Sequence, residues 1–166
     1  MAFPRTIRNY NAFIDGFGWF GRVVEAQVPM LKLATEEFRG GGMDAPIEQD
    51  MGLEAMSTEI SFAEHNMNLM TLLGKTEERL VLRPYGRAED YNDVDTYIYT
   101  CGGLWKEVDF DRLKTKDQIN LKLTCALRYY RAQVNDQEAW EIDVENGKRV
   151  IGGEDQLLAA SRAMGL

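Results

Sequence analysis

The chain has 166 residues, and its 27 acidic against 19 basic side chains leave a formal charge of −8, the wrong sign for a protein that neutralises phosphates. With 45% apolar and 28% charged residues it is globular rather than disordered, and its length suits one domain over 1–166, burying roughly 68–70% of its unfolded surface without metal or disulfide. No apolar run approaches the ~20 residues of a membrane span, and the start, Met1-Ala2-Phe3-Pro4-Arg5, has no apolar leader, so the expectation is no membrane anchor, no secretory signal and folding in a cytoplasm.

Strand and turn signals dominate in chain order. Phe13-Ile14 and Phe17 to Val24, joined by Asp15-Gly16, predict a hairpin, because Asp-Gly accepts the positive φ angles of a two-residue turn. Val28 to Phe38 and Leu53 to Phe62 are strand-like. Between them Arg39-Gly40-Gly41-Gly42-Met43-Asp44-Ala45-Pro46-Ile47-Glu48-Gln49-Asp50-Met51-Gly52 reads as a long glycine-rich loop, either flexible or an interaction loop. On the second run Met56, Thr58, Ile60 and Phe62 alternate with Ser57, Glu59 and Ser61, so the latter set should be solvated. Ser61 with Glu64 fits a capping box ahead of a helix carrying Met67, Met70 and Leu73 and stopped by Gly74.

Further on, Tyr97, Tyr99 and Cys101 share a parity in a strand expected to end at Gly102-Gly103, and Leu104 to Val108 resumes as an apolar patch. Residues 111–118 form a charged connection between strands that should pair. Leu121, Leu123, Cys125, Leu127 and Tyr129 recur at every second position, Asn135-Asp136 breaks the pattern, and Asn146-Gly147 separates Ile142 and Val144 from Val150 and Ile151. Residues 119–152 therefore predict a three-strand antiparallel meander. A short C-terminal helix follows, with Glu154 and Asp155 at its start, Arg162 in its last turn and Gly165 beyond it. The sum is a mainly β domain with one or two short helices.

No set of residues carries catalytic or metal-binding chemistry. His65 lacks Cys or carboxylate partners at ligand spacing, the triple glycine lacks both phosphate-binding patterns, and Asp44, Glu48 and Asp50 miss the calcium-loop spacing. The pairs Glu36-Glu37, Glu77-Glu78 and Asp109/Asp111 read as solvated edges, so neither a cofactor nor an enzymatic activity is expected. Met30, Met43, Met51, Met56, Met67 and Met70 fill a core or form an adaptable contact surface. Cys101 and Cys125 fall on neighbouring strands on the apolar parity. Two buried thiols is the favoured reading, and a disulfide within or between subunits is the alternative.

The glycine-rich segment, with Asp50-Met51-Gly52-Leu53-Glu54-Ala55-Met56 after it, resembles the signature of the major tail tube protein of contractile-tailed phages and phage-tail-like bacteriocins. The likeness continues in order through Gly103-Leu104-Trp105-Lys106-Glu107-Val108-Asp109, Tyr129-Tyr130, Trp140-Glu141-Ile142-Asp143 with Asn146-Gly147, and Gly153-Glu154-Asp155-Gln156-Leu157; it is loosest over 75–100. The resemblance implies a β-sandwich or barrel-like tail-tube fold with a long inter-subunit loop, here Arg39 to Pro46 with Asp50, Met51 and Gly52. It further implies a structural virion protein that forms stacked, hexameric rings inside a contractile sheath. Implied partners are further copies of itself, the tail sheath, tape-measure, tail terminator and baseplate proteins, and DNA in transit without specific binding. Lumen candidates are Ser57, Glu59 and Ser61, with Lys32, Glu36 and Glu37 on a proposed partner strand. A type VI secretion ring protein of the same fold is an alternative, and a β-barrel module binding a small molecule is another.

Overall fold

Turn chemistry sets the path from the first strand. In the computed structural model, which describes residues 3–166, β1 (Thr6–Ile14) reverses at Asp15-Gly16, whose φ angles of +50° and +81° are those of a tight hairpin turn, into β2 (Phe17–Gly18). Met1 and Ala2, part of the start read above as leaderless, lie outside the described residues. The expected run to Val24 is interrupted. At Trp19 the chain crosses to another layer, its ring edge-on to Phe62 at 5.4 Å, and resumes as β3 (Val23–Ala26).

The remaining elements are β4 (Leu33–Phe38), β5 (Ile47–Leu53), β6 (Ser57–Phe62), α1 (Met67–Met70), β7 (Leu80–Arg87), β8 (Val94–Phe110), β9 (Leu121–Val134), β10 (Gln137–Asp143), β11 (Lys148–Ile151), β12 (Glu154–Asp155) and α2 (Leu158–Ala163). Ten strands form one antiparallel sheet in the order β12-β11-β10-β9-β8-β7-β1-β2, with β6 added to β9 and β3 to β6, while β4 and β5 pair only with each other. The predicted meander is β9-β10-β11, turning at Asn135-Asp136 with φ +49° and +65°. None of the described helices is long and apolar enough to cross a membrane.

The long pair β8·β9 joins two layers. Its first stretch, Tyr97↔Val134 to Gly102↔Tyr129, lies beside β7 and β10; its second, Gly103↔Leu127 to Phe110↔Leu121, lies beside β6. The layers meet where the register slips between Gly102 and Gly103. A Cβ on Gly103 would collide with the Ala126 carbonyl oxygen and lie 2.8 Å from the Leu127 Cα, so the crossing needs glycine. The expectation that the strand ends at Gly102-Gly103 is thus corrected: the glycines permit a bulge within a single strand. The slip also shifts parity. Leu121, Leu123, Cys125 and Leu127 are buried as expected, but beyond the bulge Tyr130 and Ala132, not Tyr129, point to the core. Trp105 and Tyr130 are its largest fully buried side chains, and the Trp105 indole N–H donates to the Glu78 carbonyl at 3.1 Å.

Three local expectations change. Ser61 lies within β6 rather than at a helix start; the actual cap is Asn66, whose side chain accepts from the Asn68 N–H at 2.9 Å. The helix is one turn long and buries Leu69, with Leu72 after it, leaving Met67 and Met70 exposed. Glu154-Asp155 pairs with β11, and Asp155 caps the next turn by accepting from Leu157 N–H at 3.0 Å.

Candidate assembly surfaces

The layer β3-β6-β9-β8 has two unlike faces. One carries Thr58, Ile60 and Phe62, with Met56 just ahead of them, all buried together with Leu121, Leu123 and Cys125. Ser57, Glu59 and Ser61 take the other, in the parity predicted. Register extends that polar face: Ser61 stands opposite both Glu25 and Lys122, Lys122 opposite Asp109, Glu59 opposite Thr124, and Thr124 opposite Glu107. Lys122 Nζ pairs with Glu59 Oε2 at 3.1 Å, and Glu59, reinforced by Asp109 and Glu107, pushes the ammonium above its ordinary pKa. Among the residues that register places on this face, Glu25, Glu59, Glu107 and Asp109 against Lys122 sum to −3 per chain. Glu25, Glu107, Asp109 and Lys122 escaped sequence reasoning because only the strand pairings bring them beside Glu59.

Both margins of this layer are open. β3 pairs with β6 alone, and Glu107–Phe110 of β8 pair with β9 alone, so each presents an unpaired row of backbone donors and acceptors.

The glycine-rich segment is a second surface, and it is not the unstructured loop expected. Ile47–Leu53 is a strand paired with Leu33–Phe38, so the segment is a β-arm whose turn spans only Arg39–Pro46. The turn is ordered by short-range bonds: Met43 N–H donates to Gly40 O at 3.3 Å, Arg39 Nε to Met43 O at 3.2 Å, and Gly42 supplies φ +86°. Lys32, Glu36 and Glu37 belong to this arm's strand or its base, not to a strand beside β6; the partners of β6 are β3 and β9. Lys32 pairs loosely with Glu54 at 3.7 Å across the arm's base.

At its base the arm packs Leu53 against the core, and an ion pair fastens it to the body. Arg149 on β11, its side chain only 8% exposed, donates from Nη2 to Asp50 Oδ2 at 2.9 Å. Asp50 also accepts from Gly52 N–H at 2.8 Å; that bond and Arg149 hold its carboxyl below the usual pKa. Beyond this latch the arm stands clear, with Phe38, Ile47 and Met51 about half exposed. These three side chains hold apolar surface away from the core.

Cys101 and Cys125 are both buried free thiols on adjacent strands. They are not opposed: Cys101 faces Tyr130 and Cys125 faces Trp105. Burial pushes their pKa values up to about 12 and about 11. His65 is exposed, stacks edge-on to Phe110 at 4.9 Å and lies just ahead of α1. Among the described residues no group of three or more His, Cys, Asp or Glu side chains could hold a metal ion. The apolar depression at the arm's base, between Leu53, Ile142, Val144 and Leu157, holds about 210 Å³ and is open to solvent, smaller than a typical ligand pocket.

Open strand edges, one charged sheet face and a projecting arm define a structural subunit made to join others. The family described as Phage tail tube protein FII matches residues 4–165. The chain is 26% identical over 172 residues to the tail tube protein of Escherichia phage P2, covering all of both chains, and 25% identical over 156 residues to the major tail tube protein of Serratia phage KSP20, covering 88% of this chain and 86% of that one. In fold it is similar, at TM-score 0.51 and 10% identity over 80% of this chain and 97% of the other, to a chain in the cryo-EM structure of the anti-feeding prophage baseplate, 6-fold symmetrised. The chain belongs to the phage tail tube protein family and is a structural component of the phage tail.

Proposed function

We propose that copies of this chain, each one domain, close edge to edge into hexameric rings, and that the rings stack into the inner tail tube through which DNA passes after sheath contraction. The observation that carries this reading is the four-stranded layer with an open margin on each side. β3 runs antiparallel to β6, β6 to β9 and β9 to β8, so β3 of one copy meets Glu107–Phe110 of the next in antiparallel sense. Closing the ring removes every open edge of the layer.

Size supports the stoichiometry. Six copies contribute 24 strands. At ~4.8 Å spacing and ~40° tilt, that gives a backbone diameter of about 48 Å and a bore of roughly 35–40 Å within the side chains, wide enough for a duplex. The anti-feeding prophage baseplate that contains the fold neighbour is 6-fold symmetrised, which agrees with six copies per ring. The lumen wall is then the face bearing Glu25, Ser57, Glu59, Ser61, Glu107, Asp109 and Lys122, at −18 per ring, which repels phosphates rather than binding them. The outer layer faces the sheath, the bore holds the tape-measure protein before DNA, and terminator and baseplate proteins cap the two ends. Assembly takes place in the host cytoplasm, and the product is the virion tail.

Negative-stain microscopy and sedimentation of the purified chain test this. The expected result is concentration-dependent rings and tubes. Replacing Arg39–Pro46 by Asn-Gly, which closes the hairpin tightly, should leave a folded subunit that no longer forms tubes. A chain that stays monomeric at every concentration would refute the tube; tubes from the shortened variant would refute the role of the arm tip.

A further inference from the structure

The charge on the arm is not balanced within one chain. Leu33–Leu53 holds five acidic side chains, Glu36, Glu37, Asp44, Glu48 and Asp50, against Arg39 alone. Register sets Glu37 directly opposite Glu48, a like-charge cross-strand pair that disfavours the hairpin containing it. Asp50, next along the same face, takes Arg149, whereas among the described residues neither Glu37 nor Glu48 has an ion-pair partner. A cation arriving from outside the chain relieves this repulsion.

The complementary surface lies at the other end of the subunit. The connection 111–118 carries Arg112, Lys114 and Lys116 against Asp111 and Asp117, a net charge of +1; Asp111 accepts from Asn120 Nδ2 at 2.9 Å, none of the three cations is ion-paired among the described residues, and Leu113 between them is 81% exposed. The arm leaves the four-stranded layer where Ser57 pairs with Ala126; the connection joins β8 to β9 where Phe62, Leu121 and Phe110 pair. These are opposite ends of one ladder, roughly 17 Å apart along β6. Unlike surfaces at opposite ends make a heterologous contact, which repeats from copy to copy without closing.

We propose that Glu37 and Glu48 of the arm dock on Arg112, Lys114 and Lys116 of a second copy stacked end to end. The contact deepens the tube reading and rests on it. It also gives the stack a direction, because an inverted copy would bring two acidic arms together.

Reversal and rescue test the pairing. Glu37→Lys with Glu48→Lys should lower tube yield about tenfold or more by sedimentation, and Arg112→Glu with Lys114→Glu and Lys116→Glu should do the same. All five substitutions in one chain should restore tubes, and wild-type assembly should slow as salt rises. Matching circular dichroism and thermal melts of the variants below assembly concentration would show that folding is retained. Undiminished tubes in either reversed variant, or failure of the five-site swap to restore them, would overturn the pairing while leaving the tube intact. Absence of tubes from wild-type protein would instead remove the tube reading itself, and the contact with it.

Discussion

Gly103→Ala is the sharpest test of the strand crossing that unites the two layers. The added methyl would collide with the Ala126 carbonyl oxygen and lie 2.8 Å from the Leu127 Cα. Both obstacles are backbone atoms of the paired strand, so no side chain can rotate out of the way. Overpacking of a core costs about 1–3 kcal/mol, and a rigid obstacle places this substitution at the upper end, about 3 kcal/mol. For a chain of this size each kcal/mol lowers Tm by roughly 2–4 °C, so the expected drop is about 6–12 °C. Thermal and urea unfolding of dilute protein, below the concentration at which copies associate, measures it. Gly41→Ala is the control: its Cβ would enter open space at an ordinary φ, and the expected change is within about 0.5 kcal/mol. If Gly103→Ala fell within about 1 kcal/mol of wild type, the bulge would be pliable and the argument that only glycine fits there would fail.

Other expectations follow from particular contacts. Glu59→Lys removes the partner of Lys122 and adds a second cation beside it; tubes should still form, while DNA ejection from mutant phage slows, and unchanged ejection would place Glu59 off the lumen. The Asp50 carboxyl is held below its ordinary value in the folded chain, so its contribution is complete above the unfolded value and is lost as pH falls through the depressed folded one. Protection of β4 and β5 amides against hydrogen exchange, taken relative to the intrinsic rate at each pH, should therefore hold down to the ordinary carboxylate range and fall below it. In Asp50→Asn the arm should exchange faster at neutral pH; equal rates in the two proteins would show that the latch does not hold the arm. Cys101 and Cys125 should alkylate at pH 8 about 100-fold more slowly in the folded protein than in urea, and the chain should run as a monomer on a non-reducing gel. Rapid labelling or a dimer band would contradict burial.

The parts legible in the sequence are those where one face is buried. Alternation through Met56–Phe62 and Leu121–Leu127 announced which side chains meet the core, and Asp15-Gly16 and Asn135-Asp136 announced their turns through residues that tolerate positive φ. The arm stayed hidden because β4 and most of β5 are exposed on both faces, which removes the periodic signal a strand normally carries. Gly102-Gly103 misled for a different reason: glycine punctuates a chain end and a bulge alike, and only the neighbouring Ala126 carbonyl distinguishes them. Lys32, Glu36 and Glu37 are not beside Glu59 because β3 fills that place, and a strand four residues long and half exposed carries little periodic sign of doing so. Arg149 was invisible as a latch, since its partner Asp50 lies 99 residues away in sequence.

The uninterrupted passage of β8 and β9 through both layers has a mechanical consequence. Separate sheets stacked face to face can slide over side chains, whereas here the two layers share two continuous strands. A load on one layer reaches the other along covalent backbone and a ladder of hydrogen bonds. The subunit therefore resists delamination in the way a folded plate does, by having no seam between its leaves at the crossing.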